Sequence, residues 1–162
     1  MTDPRREVGQ RIRREVLGDA HVDRAAAGTT AFSAPFQDFI TRTAWGDVWA
    51  RPGLGRRERS IATLAILTAL RAEGEIAMHV RAAIRNGLTP AEIAEVLLHA
   101  TVYAGVPAGN SAFGIAARTL EEMGLRLEDG DAIGDAPRDE DSDGPRRPTG
   151  GPGDETTMEE RP

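Results

Sequence analysis

Two of the chain's three histidines fall at helical spacing on apolar stripes, a placement that would carry a titratable imidazole into the interior of a helical protein. His79 follows Ile76 by three residues and precedes Ala83 by four, and His99 stands between Val96 and Tyr103 at the same spacings. An inward imidazole is a general acid or base in waiting, because its ordinary pKa lies close to physiological pH. Glu58, in the first turn of a helical pattern with Ile61 and Ala65 on the same face, reads as an inward carboxylate. The plainer alternatives are that the histidines are hydrogen-bonded core residues and that Glu58 pairs with an Arg or favours its helix N-terminus. His21 lies in a polar segment and looks ordinary. Trp45 and Trp49 read as core residues.

The missing residue types narrow the chemistry further. The chain has no cysteine, which removes disulfides, thiolate metal sites and thiol redox chemistry together. No HExxH, Walker, GxGxxG or GxSxG pattern occurs, so zinc proteases, P-loop enzymes, Rossmann enzymes and α/β-hydrolases lack support. Every basic residue other than histidine is Arg. Residues 1–124 carry 15 Arg against 14 Asp and Glu, whereas residues 125–162 carry 5 against 12. A nearly neutral body with its arginines spread among acids argues against nucleic-acid binding.

These candidates need elements to position them. The body alternates apolar residues at the helical period with Gly and Pro punctuation and shows no sustained period-two alternation, so an all-α domain of six to seven helices is expected. Val8, Ile12, Val16 and Leu17 mark a first helix that stops at Gly18, and Val22 to Ala27 fits a short second one. Ser33 can cap a third helix carrying Phe36, Phe39, Ile40, Trp45, Val48 and Trp49 on its apolar face, ended by Pro52-Gly53. Arg56 to Ala72 places Ile61, Leu64, Ala65, Leu67 and Thr68 on a wide stripe and reads as the central buried helix. Glu75 to Asn86 forms a fifth helix ended by Gly87. Thr89-Pro90-Ala91-Glu92 is a capping box with proline in the first turn, a strong start signal for a sixth helix running to about Tyr103. A last helix with Phe113, Ala116, Ala117 and Leu120 in register stops at Gly124. The domain is thus expected over residues 1–124. The Gly-, Pro- and acid-rich segment 125–162 reads as a disordered acidic tail, or alternatively a docking or solubilising one. No apolar stretch is long enough for a membrane span and the start lacks a signal-peptide pattern, so a cytoplasmic protein is expected.

Several stretches resemble the carboxymuconolactone decarboxylase family, within the wider alkylhydroperoxidase D-like superfamily. They are Val16-Leu17-Gly18-Asp19-Ala20-His21-Val22-Asp23, Phe36-Gln37-Asp38-Phe39-Ile40-Thr41-Arg42, Ala44-Trp45-Gly46-Asp47-Val48-Trp49 and Arg51-Pro52-Gly53-Leu54. The series continues with Met78-His79-Val80-Arg81-Ala82-Ala83-Ile84-Arg85-Asn86-Gly87-Leu88-Thr89, with Glu95-Val96-Leu97-Leu98-His99, and with Tyr103-Ala104-Gly105-Val106-Pro107-Ala108-Gly109-Asn110. Peroxidase relatives in the superfamily use a CxxC pair that this chain lacks, which leaves the decarboxylase branch. Gly109 departs from the family pattern, where an alanine or similar residue is expected.

The resemblance implies cofactor-free and metal-free conversion of γ-carboxymuconolactone to β-ketoadipate enol-lactone and CO2, in the protocatechuate branch of the β-ketoadipate pathway. It also implies a helical homo-oligomer, a hexameric ring being the expected form. On this reading His79 is the general acid, Glu58 orients or tunes it, and His99 donates to the developing oxyanion or lines the pocket. Arg42, Arg51, Arg81 and Arg85 are candidates for the two substrate carboxylates, with Asn110 a further substrate-binding candidate. A related decarboxylase or isomerase on another lactone, or a non-catalytic oligomer that binds a small ligand, are the alternatives.

Overall fold

A computed structural model describes residues 3–125, and within them the chain is all-α. Helix α1 spans Pro4–Leu17, α2 Asp19–Ala27 and α3 Ala34–Ile40, which runs directly into a π-helical stretch, Thr41–Trp49. Then come α4, Arg56–Ala69, α5, Glu73–Arg85, α6, Pro90–Ala104, and α7, Val106–Glu122. The expected tail beyond residue 125 lies outside the described residues.

Local chemistry explains most of these boundaries. The Asp3 carboxylate accepts the Arg5 backbone N–H at 3.0 Å and caps α1. Thr89 and Glu92 form the expected reciprocal capping box at the start of α6. Gly18 takes φ 85° between α1 and α2, a conformation that favours glycine and turns the chain without a linker. Ser33 does not cap α3 through its side chain as expected; its hydroxyl instead accepts the Thr30 backbone N–H at 3.0 Å, inside the preceding turn. Helix α4 ends at Ala69, before the expected Ala72, and Arg71 adopts a positive φ of 53°.

Two hydrophobic clusters hold the domain. Leu64, Ile76, Val80, Ala83, Leu88, Ile93, Leu97, Ala112 and Ala116 unite α4 to α7, while Ile12, Val16, Leu17, Val22, Trp45 and Ala82 unite α1, α2 and the π-helix with α5. Adjacent residues Ala82 and Ala83 thus face different clusters. The helix at the centre is therefore α5, not α4 as the stripe suggested. Close approach of α1 to the π-helix depends on reciprocal glycines: a Cβ at Gly9 would overlap the Thr41 carbonyl, and one at Gly46 the Arg5 carbonyl.

The choice of buried face corrects two expectations. On α4 the buried residues are Ser60, Leu64 and Thr68, whereas Ile61 and Ile66 are exposed. Glu58, in line with Ile61, is therefore exposed rather than inward. His99 is likewise exposed and packs its ring against Tyr103, with centroids 5.2 Å apart. Both helices carry apolar residues on more than one face, and a single copy buries only one of them. Phe36, Phe39 and Val48 are also exposed, so of the expected apolar face of the third helix it is Trp45 that is buried.

Candidate functional site

Where α1 turns into α2, the chain meets one edge of α5 and leaves a cleft of about 500 Å³. Gly18 makes the corner possible in two ways. Its positive φ reverses the chain, and a side chain there would run into the Arg85 guanidinium. Arg85 consequently reaches past Gly18 and donates through Nη1 to the Val16 carbonyl oxygen at 3.1 Å. The cleft is lined by His21 and Arg24 from α2 and by Met78, Arg81 and Arg85 from α5, together with the Leu17–Ala20 corner. Spacings of three and four residues explain the convergence, since they set 78, 81 and 85 along one edge of α5 and 21 and 24 along one edge of α2.

The cleft is electropositive. Its carboxylate, Asp19, is tied to Arg14 at 3.1 Å, and Arg81 pairs with Glu122. Among the described residues neither Arg24 nor Arg85 has a carboxylate partner. Two uncompensated guanidiniums, and a third held by an exposed glutamate, suit a small ligand bearing more than one carboxylate.

Two imidazoles belong to this region. His21 lines the cleft and is half-buried; burial, reinforced by the charges of Arg13 and Arg24, pushes its pKa below the ordinary value, against the opposing pull of Glu75. His79, half-buried on α5, is also pushed down, chiefly by burial and further by the charge of His21, while Glu75 pulls it upward. The carboxylate whose charge acts on His79 is Glu75, one turn away on the same helix.

Of the residues singled out in the sequence, the structure brings Arg81 and Arg85 together in the cleft and sets His79 within electrostatic reach of it through His21. It does not bring in the others. Arg42 pairs with Asp38 at 2.8 Å, Arg51 is exposed and its carbonyl accepts a hydrogen bond from Arg59, and Glu58, His99 and Asn110 are exposed elsewhere. The polar segment that carries His21 and Arg24 does not mark them as site residues in the sequence. Their spacing of three residues, just after a glycine corner, was the available signal.

Gly109 also finds its reason here. It lies in the first turns of α7 rather than in a loop, and a Cβ would overlap the Thr101 hydroxyl of α6. Among the described residues no three His, Asp or Glu side chains gather as a metal site, and no helix is long and apolar enough to cross a membrane.

Comparison with known proteins places the sequence in a family. Residues 34–118 match the model of the carboxymuconolactone decarboxylase family. A 4-carboxymuconolactone decarboxylase from Acinetobacter baylyi is 45% identical over 129 residues, covering 79% of this chain and 96% of the relative. Nitrosuccinic acid decarboxylase npaB from Metarhizium robertsii is 43% identical over 115 residues, or 71% of this chain and 80% of the relative. A 4-carboxymuconolactone decarboxylase sequence from Pseudomonas putida is 51% identical over 43 residues, covering 26% of this chain and 90% of that sequence. With a family match across more than half its length and a relative aligned nearly end to end, this chain belongs to the carboxymuconolactone decarboxylase family.

Proposed function

We propose that this carboxy-lyase acts in the cytoplasm on γ-carboxymuconolactone, releasing CO2 and β-ketoadipate enol-lactone in the protocatechuate branch of the β-ketoadipate pathway. The observation that supports it best is the cleft in which His21 stands beside Arg24, Arg81 and Arg85. The substrate carries two carboxylates, and these guanidiniums offer them partners.

The reaction itself needs little besides placement. The departing carboxylate sits on the γ carbon of an unsaturated lactone, so when the C–C bond breaks its electron pair flows through the ring double bond to the lactone carbonyl. CO2 leaves, and a 2-oxyfuran oxyanion remains. A proton delivered to the carbon α to the carbonyl restores the carbonyl and yields the enol-lactone. No electrons are gained or lost, which is why no cofactor is assigned.

His21 is the proposed donor because it lines the cleft, and His79 is its partner rather than, as the sequence suggested, the direct acid. Both imidazoles are held toward neutrality in the ligand-free protein. A substrate dianion brings compensating negative charge, which raises their pKa and supplies the imidazolium when it is needed. Decarboxylation then leaves an oxyanion beside Arg24 and Arg85 that these cations stabilise.

The same proposal includes assembly into a homo-oligomer, with a hexamer as the expected form. Leu98, Val102 and Tyr103 on α6 and Val106 at the start of α7 are all more than half exposed, forming with His99 an apolar surface of the kind subunits bury against one another.

Purified protein incubated with enzymatically generated γ-carboxymuconolactone should release one CO2 per lactone and form the enol-lactone, without added metal or coenzyme. Release of CO2 with another product would point to a related reaction. No release would reject the reading.

A further inference from the structure

On the opposite side of α2 from the His21 cleft lies a second cavity, of about 260 Å³, enclosed by α1, α2 and α3. Its wall contains Arg13, which is only 7% exposed. Nη1 of this guanidinium donates to Gln37 Oε1 at 3.0 Å and to Thr41 Oγ1 at 3.4 Å, while Nε is buried without an acceptor. No carboxylate pairs with Arg13 among the described residues. Asp38 lines the cavity, but it is shared between Arg6 at 3.2 Å and Arg42 at 2.8 Å.

A buried cation without a counter-charge is costly to keep out of water. Two neutral hydrogen bonds offset only part of that. Arg6 also lines the cavity, with its charge met by Asp38, and the remaining walls are of two kinds: Gln10, Gln37, Thr29 and Thr41 offer neutral polar groups, and Val22, Ala26 and Ala34 an apolar surface. The cavity therefore combines a fixed positive charge, amide donors and a short greasy wall, at a volume suited to a few non-hydrogen atoms; the Thr29 and Thr41 hydroxyls already donate to the Ala25 and Gln37 carbonyls. The π-helix begins at Thr41, inside this wall, and such departures from α-helical geometry concentrate at functional sites.

We propose that this cavity is a second anion site, separate from the decarboxylation cleft, that takes a small aliphatic carboxylate: its anionic end against Arg13, Gln10 and Gln37, its hydrocarbon end against Val22, Ala26 and Ala34. The planar fork of the guanidinium matches a carboxylate, and the alanine and valine surface suits an alkyl group better than it suits a fully hydrated inorganic anion. Occupancy would be felt in the cleft, because α2 carries Val22 and Ala26 into one site and His21 into the other. His21 is faced by the charges of Arg13, Arg24 and Arg85 and by Glu75, with His79 nearby. An anion on Arg13 cancels one of those positive charges, and His21 then protonates more readily.

The test is an NMR titration of the His21 ring in the full chain, with propionate as the probe and propionamide as its neutral isostere. Propionate should bind saturably and raise the His21 pKa, and propionamide should do neither. Arg13→Met should weaken propionate binding at least tenfold, raise the His21 pKa of the free protein and abolish its response. Should that variant fail to fold, Ala26→Leu, which fills the apolar end while keeping the charge, should weaken propionate binding by a similar factor. Arg24→Met should leave both the binding and the pKa response in place. Loss of binding in Arg24→Met but not in Arg13→Met would assign the anion to the cleft and overturn the proposal. Equal binding of propionamide, or Arg13-dependent binding of inorganic phosphate tighter than of propionate, would overturn the carboxylate assignment.

Discussion

Arg85 on α5 donates through Nη1 to the Val16 carbonyl oxygen at 3.1 Å, across a corner that only a glycine at position 18 leaves open. This contact holds the central helix against the end of α1 and leaves the rest of a guanidinium, which has no carboxylate partner among the described residues, facing the cleft. Replacing Arg85 by Met removes the charge-assisted bonds proposed to hold the substrate, each contributing about 1.5–3 kcal/mol. The Michaelis constant for γ-carboxymuconolactone should rise about 10- to 100-fold. An unchanged constant would remove Arg85 from substrate binding.

Stability should fall on acidification in two separate windows. His21 and His79 have folded-state pKa values below the ordinary 6.5, so the unfolded chain takes up their protons first and stability is lost as pH falls below about 6.5. Glu92, held at about 2 by Arg57 and by the Thr89 backbone, stabilises the fold above its ordinary 4.5 and ceases to do so as pH falls from there toward 2. Urea titrations across this range should show both slopes. His79→Gln should flatten the upper one and leave the lower one intact, whereas Glu92→Gln should do the reverse.

The start of α6 offers a test of local chemistry alone. Thr89→Ala removes the hydroxyl that accepts the Glu92 N–H at 3.2 Å and should cost about 1 kcal/mol, read as a lower urea midpoint at unchanged slope.

Gly9→Ala discriminates between two opposing effects. Helix propensity favours alanine by about 0.5–1 kcal/mol, yet the added methyl collides with the Thr41 carbonyl, and overpacking of this kind costs about 1–3 kcal/mol. Net destabilisation is expected. A more stable variant would show that α1 and the π-helix separate easily.

The capping box, the stop at Gly18 and the C-terminal glycine at 87 were legible because each rests on chemistry confined to a few neighbouring residues. The exposure of Glu58 and His99 was not. Helix α4 carries Ile61, Leu64, Ile66 and Leu67 nearly around its circumference, and periodicity marks apolar positions without saying which of them face this copy's core. Two adjacent alanines on α5 hid its double role in the same way, since Ala82 and Ala83 look alike in sequence and belong to different clusters. His21 looks ordinary in the sequence because it becomes a site residue only when α2 folds against Arg81 and Arg85, roughly sixty residues later in the chain.

Removing His79 should alter the pH profile more than the maximal rate. His79→Gln eliminates a group that repels protonation of its neighbour, so the alkaline limb of kcat, where His21 gives up its proton, should move to higher pH while kcat at its optimum falls less than about tenfold. Collapse of kcat at every pH would return the donor role to His79.

His21 is proposed to supply the proton that replaces CO2. The direct measurement is kcat of His21→Gln on γ-carboxymuconolactone at neutral pH, alongside circular dichroism to confirm the helices. A loss of about 10²- to 10⁴-fold with helicity intact is predicted. A variant that turns over within about threefold of the parent would contradict it.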